Sequence, residues 1–284
     1  MVRSPALAVL ATVGLFAAAG AEAAPIATIQ ASIGSTARTI EFLLGGGIGF
    51  CDGSVRTCDG SVRPIEGARW TANNNGSFRL ATPLVMLGDG SVRVGDGSVV
   101  PPPELDRLLL PAVSFSPFPE ISATVGVLDS GDPTTFIITF GTVMSLTGPG
   151  YTYSLSGGGT LTDLLGNGVS LTQQSFQGGD GVFFGLVDNA LVAATGTTAS
   201  FPPPATGGVP PFAYPYTAAS VAGAGSCAAC DLLSLAFAVA GSGNGDKADL
   251  FATFDVNPIG VAAPAPLGLL AMGLLGLAAV SRRR

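Results

Sequence analysis

The chain has 284 residues and no histidine. That absence removes the commonest general base near neutral pH. It excludes Ser-His-Asp and Cys-His hydrolases, and every zinc or copper centre that needs a histidine ligand. Lysine is almost as scarce: Lys247 is the only one, so a Ser-Lys dyad would rest on it alone. Charged residues make up 11% of the chain, too few for a surface built on ion pairs. There is one tryptophan, Trp70, and four tyrosines, Tyr151, Tyr153, Tyr214 and Tyr216, which leaves little material for the exposed aromatic platforms that bind sugars. The Gly-rich stretch GGDGVFFG at 178–185 lacks the Lys-Ser/Thr pair of a phosphate loop.

What is present begins at the two ends. The chain opens MVRSPALAVLATVGLFAAAGAEAAP. Arg3 gives a positive start, Ala6 to Ala19 is an uncharged apolar run, and Ala21-Glu22-Ala23 puts small residues where a signal peptidase reads them. This pattern predicts a secretory signal peptide over 1–23, cleaved after Ala23. At the other end, Val261 to Val280 carries no charge. It is just long enough to cross a hydrocarbon core of about 30 Å. A helix is expected over 267–280, with Arg282, Arg283 and Arg284 held on the cytoplasmic side.

Pro264-Ala265-Pro266, then the Leu/Gly/Ala run, then the arginine cluster, resembles the PEP-CTERM sorting tail of Gram-negative bacteria. The resemblance covers about the last two dozen residues. Pro-Ala-Pro replaces the usual Pro-Glu-Pro, closer to the Val-Pro-x-Pro-Ala type of tail. It implies a body exported through the inner membrane, tethered briefly by the tail, processed by an exosortase-like membrane enzyme, and delivered to the cell surface or beyond. The logic matches other tails that park a protein at a membrane enzyme and are then removed. It also implies association with exopolysaccharide or biofilm.

The chain as a whole carries a net charge of −7. Without the two expected terminal segments it keeps eight basic and eighteen acidic residues, a net −10. Such a body does not seek nucleic acid or anionic lipid, both of which need a positive patch. Forty-one glycines and twenty-one prolines punctuate short runs rich in Val, Ile, Leu, Phe and Thr. This predicts an all-β body, a β-sandwich or jelly roll. The expected organisation is a signal segment 1–23, a Gly/Pro-rich part 24–111, a β-sandwich body 112–257, and a linker plus sorting tail 258–284. DSGDP, TGPG, SGGG and GGDG read as turns between strands from Ile121 onward, and FPPPATGGVPPFAYPYT at 201–217 reads as a surface loop. LLSLAFAVA and DLFATFDV, around GSGNGDKA, read as a closing hairpin, with Leu250, Ala252, Phe254 and Val256 sharing one face.

A heptad built on DGSV recurs four times in two tandem pairs, CDGSVRT-CDGSVRP at 51–64 and GDGSVRV-GDGSVVP at 88–101. Asp-Gly favours a tight turn and Ser-Val-Arg can continue as a strand. A calcium loop needs six to eight oxygens, and each heptad offers one carboxylate, so duplicated surface hairpins are the preferred reading. Export favours disulfides for the four cysteines. Local Cys51–Cys58 and Cys227–Cys230 pairs rank above cross-pairing, and both above zinc. Asp246 and Asp249 are candidate calcium ligands, ranked below a solvated hairpin loop. No cofactor is expected.

The expected partners are therefore a signal peptidase, an exosortase-like enzyme and exopolysaccharide, with no nucleic acid. The expected function is that of a non-enzymatic surface or matrix protein. The competing readings are an exported glycan hydrolase using two of the eighteen carboxylates, and a plain membrane-anchored envelope protein.

Overall fold

The computed structural model describes residues 27–42, 47–51, 62–73, 77–95, 105–116, 119–147, 149–205, 208–227 and 229–259. The expected signal segment with Ala21 and Ala23, the tail from Pro264 to Arg284, Cys58 and the side chain of Cys51 lie outside the described residues. Twenty strands follow one another. They are β1 (Ala27–Ile33), β2 (Thr36–Phe42), β3 (Gly47–Cys51), β4 (Val62–Ala72), β5 (Phe78–Leu80), β6 (Leu84–Leu87), β7 (Val92–Val94), β8 (Arg107–Ser116), β9 (Glu120–Asp129) and β10 (Thr135–Thr147). Then come β11 (Tyr151–Asp163), β12 (Val169–Phe176), β13 (Gly179–Gly181), β14 (Phe183–Val187), β15 (Ala190–Thr195), β16 (Ala199–Phe201), β17 (Phe212–Thr217), β18 (Val221–Gly225), β19 (Ala229–Gly241) and β20 (Asp246–Pro258). The described residues are all-β, and no helix among them is long and apolar enough to cross a membrane.

Every pairing is antiparallel. One ladder runs β4–β3–β2–β1–β10–β19, with β12 and β14 end to end along the far edge of β19. The other runs β8–β9–β20–β11, with β5 and β6 along β8 and with β17 and β18 along β11. β4 joins them: Val62 to Arg69 pairs with β3, and Trp70 to Ala72 pairs with β5. The strands thus form one continuous antiparallel sheet. β19 also lies against β9 and β20 without hydrogen-bonding to either.

Alternation explains which face goes inside. In β1, Ala27, Ile29, Ala31 and Ile33 are buried while the residues between them are not. In β20, Leu250, Ala252, Phe254 and Val256 are buried and Phe251 faces out. β19 is buried on both faces: Leu233, Leu235, Phe237 and Val239 enter the main core, and Ala236 and Ala238 pack against Phe176, Phe184 and Leu186. The main core runs without a break from Ala27 to Val256 and draws on residues either side of the expected 111/112 boundary, which itself falls inside β8.

Three expectations about turns are corrected. SGGG lies in the middle of β11, not between strands. A Cβ at Gly157 would stand 2.7 Å from the Phe183 ring, and one at Gly159 would stand 2.2 Å from the Asp249 carbonyl oxygen, so the glycines mark close approach of other chain segments. Within 201–217, Phe212–Thr217 is a strand; β17 tolerates Pro215 because it pairs on one side only, with β11. Finally, β19 and β20 do not form a hairpin. Their loop is an arch that carries the chain from one ladder to the other. Both strands have apolar faces that must be buried, and stacking them buries more than pairing them would.

The heptad reading applies to the third copy. Gly90 turns with φ +83°, Asp89 Oδ1 accepts the Ser91 amide at 2.8 Å, and Val92–Val94 continues as β7. These bonds hold the Asp89 carboxyl below its usual range, the Ser91 amide contributing most.

Candidate functional site

Four aspartates end or precede neighbouring strands of the second ladder, at the same pole. Asp129 closes β9 and is the register partner of Asp246, which opens β20. Arg107 pairs with Leu128, which sets Asp106 beside Asp129. Thr162 pairs with Lys247, which sets Asp163 beside Asp246. The order across the sheet is Asp106, Asp129, Asp246, Asp163. Residues directly opposite on paired strands share a face, so the row points one way, and like charges opposed in this manner repel.

Each carboxylate organises a loop. Asp163, fully buried, accepts the amides of Leu165, Gly166 and Asn167 on Oδ1 (3.2, 2.5 and 3.2 Å) and that of Gly168 on Oδ2 (2.7 Å). Asp106 accepts the Ser130 amide and hydroxyl on Oδ1 and the Thr134 hydroxyl on Oδ2 at 2.8 Å. Asp129 Oδ2 accepts the amides of Thr134 (3.1 Å) and Gly243 (2.9 Å), tying the β9–β10 turn to the β19–β20 arch. Asn244 reinforces the tie by donating its amide to the Gly131 carbonyl at 2.9 Å. Asp246 Oδ2 accepts the Ser242 hydroxyl at 2.5 Å, and Ser242 Oγ in turn accepts the Ser170 amide at 3.1 Å.

The central two differ from the outer two. Asp129 is 1% exposed and Asp246 is 4% exposed, yet Oδ1 of each is buried with no hydrogen-bond partner. A buried carboxylate oxygen without a donor is costly. Burial raises the Asp129 pKa to about 6, against the pull of the Thr134 and Gly243 amides and with help from the charges of Asp106 and Asp246. Burial also raises Asp246, with Asp163 adding to it. The Ser242 hydroxyl and, more weakly, the Leu164 backbone act the other way. No basic side chain forms an ion pair with the row among the described residues, although Lys247 also lines the crevice at Asp129 and Asp246. Lys247 points to the opposite face of β20 and pairs with Asp249 at 2.7 Å.

Asp129 and Asp246 line a narrow crevice together with Ser170, Ser242, Gly241 and apolar residues including Leu161 and Val239. It has room for about one water. Gly241 is required at its wall, since a Cβ there would stand 2.3 Å from Asp129 Oδ2. Among the described residues no three acidic, cysteine or histidine side chains converge tightly enough to ligate a metal by themselves.

The candidates from sequence are placed as follows. Asp246 belongs to the row and Asp249 does not. Cys227 and Cys230 are joined by a disulfide with Cα atoms 6.0 Å apart. Trp70 packs edge-on against Phe78, Tyr214 stacks on Phe201 at 4.6 Å, and Tyr216 is buried and donates to the Thr197 carbonyl. Asp106, Asp129 and Asp163 were not singled out by sequence. Asp129 and Asp163 carry one signal, an aspartate at the junction of an apolar run and a Gly/Asn/Ser turn, as in VLDSG and LTDLLGNG, which says each organises a turn but not that they line up; Asp106, in PELDR, lacks it. No family model matches the chain, and no curated protein matches it.

Proposed function

We propose that the chain is an exported, exosortase-sorted protein of the cell surface or extracellular matrix, non-enzymatic, with a β-sandwich body that associates with exopolysaccharide. The observation that carries this reading is the C-terminal pattern: Pro264-Ala265-Pro266, an uncharged run of marginal spanning length, then Arg282 to Arg284. A sandwich is supported by two hydrogen-bonded ladders that share one core and touch through β19, β9 and β20. A matrix role suits an acidic body of low charge density, which stays soluble outside the cell without collecting nucleic acid. A signal peptidase and an exosortase-like enzyme are the processing partners.

The glycan-hydrolase alternative needs two carboxyl groups about 5–10 Å apart across a groove that admits a sugar. Asp129 and Asp246 instead face a crevice with room for about one water, and their bonded oxygens hold loops together. That geometry favours the non-enzymatic reading.

The test is intact mass of the protein recovered from envelope and medium of the native host, with and without its exosortase. The expected product starts at Ala24 and ends near Pro264 to Pro266, and is lost in the exosortase deletion. A product that keeps Arg282 to Arg284 in both strains makes the tail an ordinary anchor and overturns the sorting reading.

A further inference from the structure

We propose that the centre of the aspartate row binds one divalent cation of the calcium type, bridging Oδ1 of Asp129 and Oδ1 of Asp246. The inference is independent of how the chain is sorted.

Three observations converge on it. The first is the row itself: four carboxylates side by side across β8, β9, β20 and β11, with none ion-paired to a basic side chain among the described residues. The second is the pair of orphaned oxygens. Asp106 and Asp163 have both oxygens occupied by donors, and only the two central residues, at 1% and 4% exposure, keep one oxygen each without a partner. Both residues line the same crevice, whose capacity is about one water or one ion of similar size. The third is the framework. Thr134 and Gly243 amides hold Asp129, and Ser242 holds Asp246, each through Oδ2, so the free oxygens are fixed before any ligand arrives.

Negative charge buried in this way is relieved by a proton or by a cation. All-oxygen donors select a hard cation, and a carboxylate pair without an octahedral set of donors around it suits calcium better than magnesium, which demands a near-ideal octahedron. Because only two carboxylates reach the ion, binding is weak. The expected dissociation constant is about 0.1–1 mM, the range of extracellular calcium modules. The groups that face the pair from neighbouring elements are Asp106 before β8 and Asp163 at the end of β11, and both add attraction for the ion.

The test uses the full chain, stripped with EDTA, and equilibrium dialysis against radioactive calcium at about pH 7.5. The expected result is one saturable site per chain, lost in Asp129→Asn and in Asp246→Asn and kept in Asp255→Asn, whose carboxylate is exposed on the outer face of β20. The melting temperature should rise by several degrees in millimolar calcium, and the rise should shrink at about pH 5 as protons compete for the same oxygens. Far-ultraviolet circular dichroism of each variant shows whether it has folded. Should a variant fail to fold, the wild-type stoichiometry and its loss at acid pH still decide. No saturable binding up to about 10 mM, or binding that both asparagine variants retain, overturns the proposal. So does stabilisation by acid alone with no calcium bound, which would mean that the pair holds a shared proton.

Discussion

An aspartate at the end of a strand is an ordinary residue while one of its oxygens caps the following turn and the other meets water. Asp129 and Asp246 depart from this because their second oxygens are buried and face like charge. The consequence is a definite pH dependence. The Asp129 pKa is raised from its ordinary value to about 6 in the fold, so the native state holds this proton more tightly than the unfolded chain does. Its contribution to stability is therefore fully present below about pH 4 and lost as the pH rises through about 6. In calcium-free buffer, the wild-type chain should lose on the order of 2–3 kcal/mol between those limits relative to Asp129→Asn, measured by urea unfolding. The substitution places an amide donor where the orphaned oxygen stood, within reach of Asp246, so the variant should be at least as stable as wild type at pH 7. A steeper loss in the variant would show that Asp129 is ionised without penalty.

At the scale of elements, the apolar alternation of β1, β8, β9 and β20 is readable directly, because period-two burial leaves a period-two sequence. Glycine is where the reading fails. SGGGT has the composition of a turn, yet Gly157, Gly158 and Gly159 lie mid-strand because Phe183, the Tyr216 carbonyl and the Asp249 carbonyl occupy the space a Cβ would need. Composition reports that a side chain is missing, not whether the backbone bends or something else fills the gap. Gly159→Ala should therefore cost about 3 kcal/mol, more than a turn glycine with free space such as Gly178, on comparing the two variants by denaturant unfolding. The arch between β19 and β20 was hidden for a related reason: GSGNGDKA between two apolar runs has the same signature whether its strands pair or stack. The aspartate row inherits this ambiguity, since only the register of four separate strands aligns it.

For the molecule as a whole, the decisive fact is one core. β1 pairs along β10 from Ala27 to Ile33, and Ile29, Ile40 and Phe42 pack with Phe115, Phe136 and Phe140 in a single cluster. Residues 112–257 expressed alone would lose β1 and the first half of β8, exposing the edge of β10 and part of this cluster. That fragment should fail to give a cooperative thermal transition, whereas 24–259 should give one by calorimetry. A sharp transition in the shorter piece would show that the N-terminal strands are an accessory layer.

β20 has a direction as well as a face. It begins at Asp246 in the row and ends at Pro258, beside Tyr151. Thirteen residues of extended chain separate the poles by about 40 Å. The last described strand thus leaves from one pole, while the four carboxylates occupy the other. A body held by its C-terminal segment would stand like a post, with its acidic crown presented outward and its point of attachment hidden beneath.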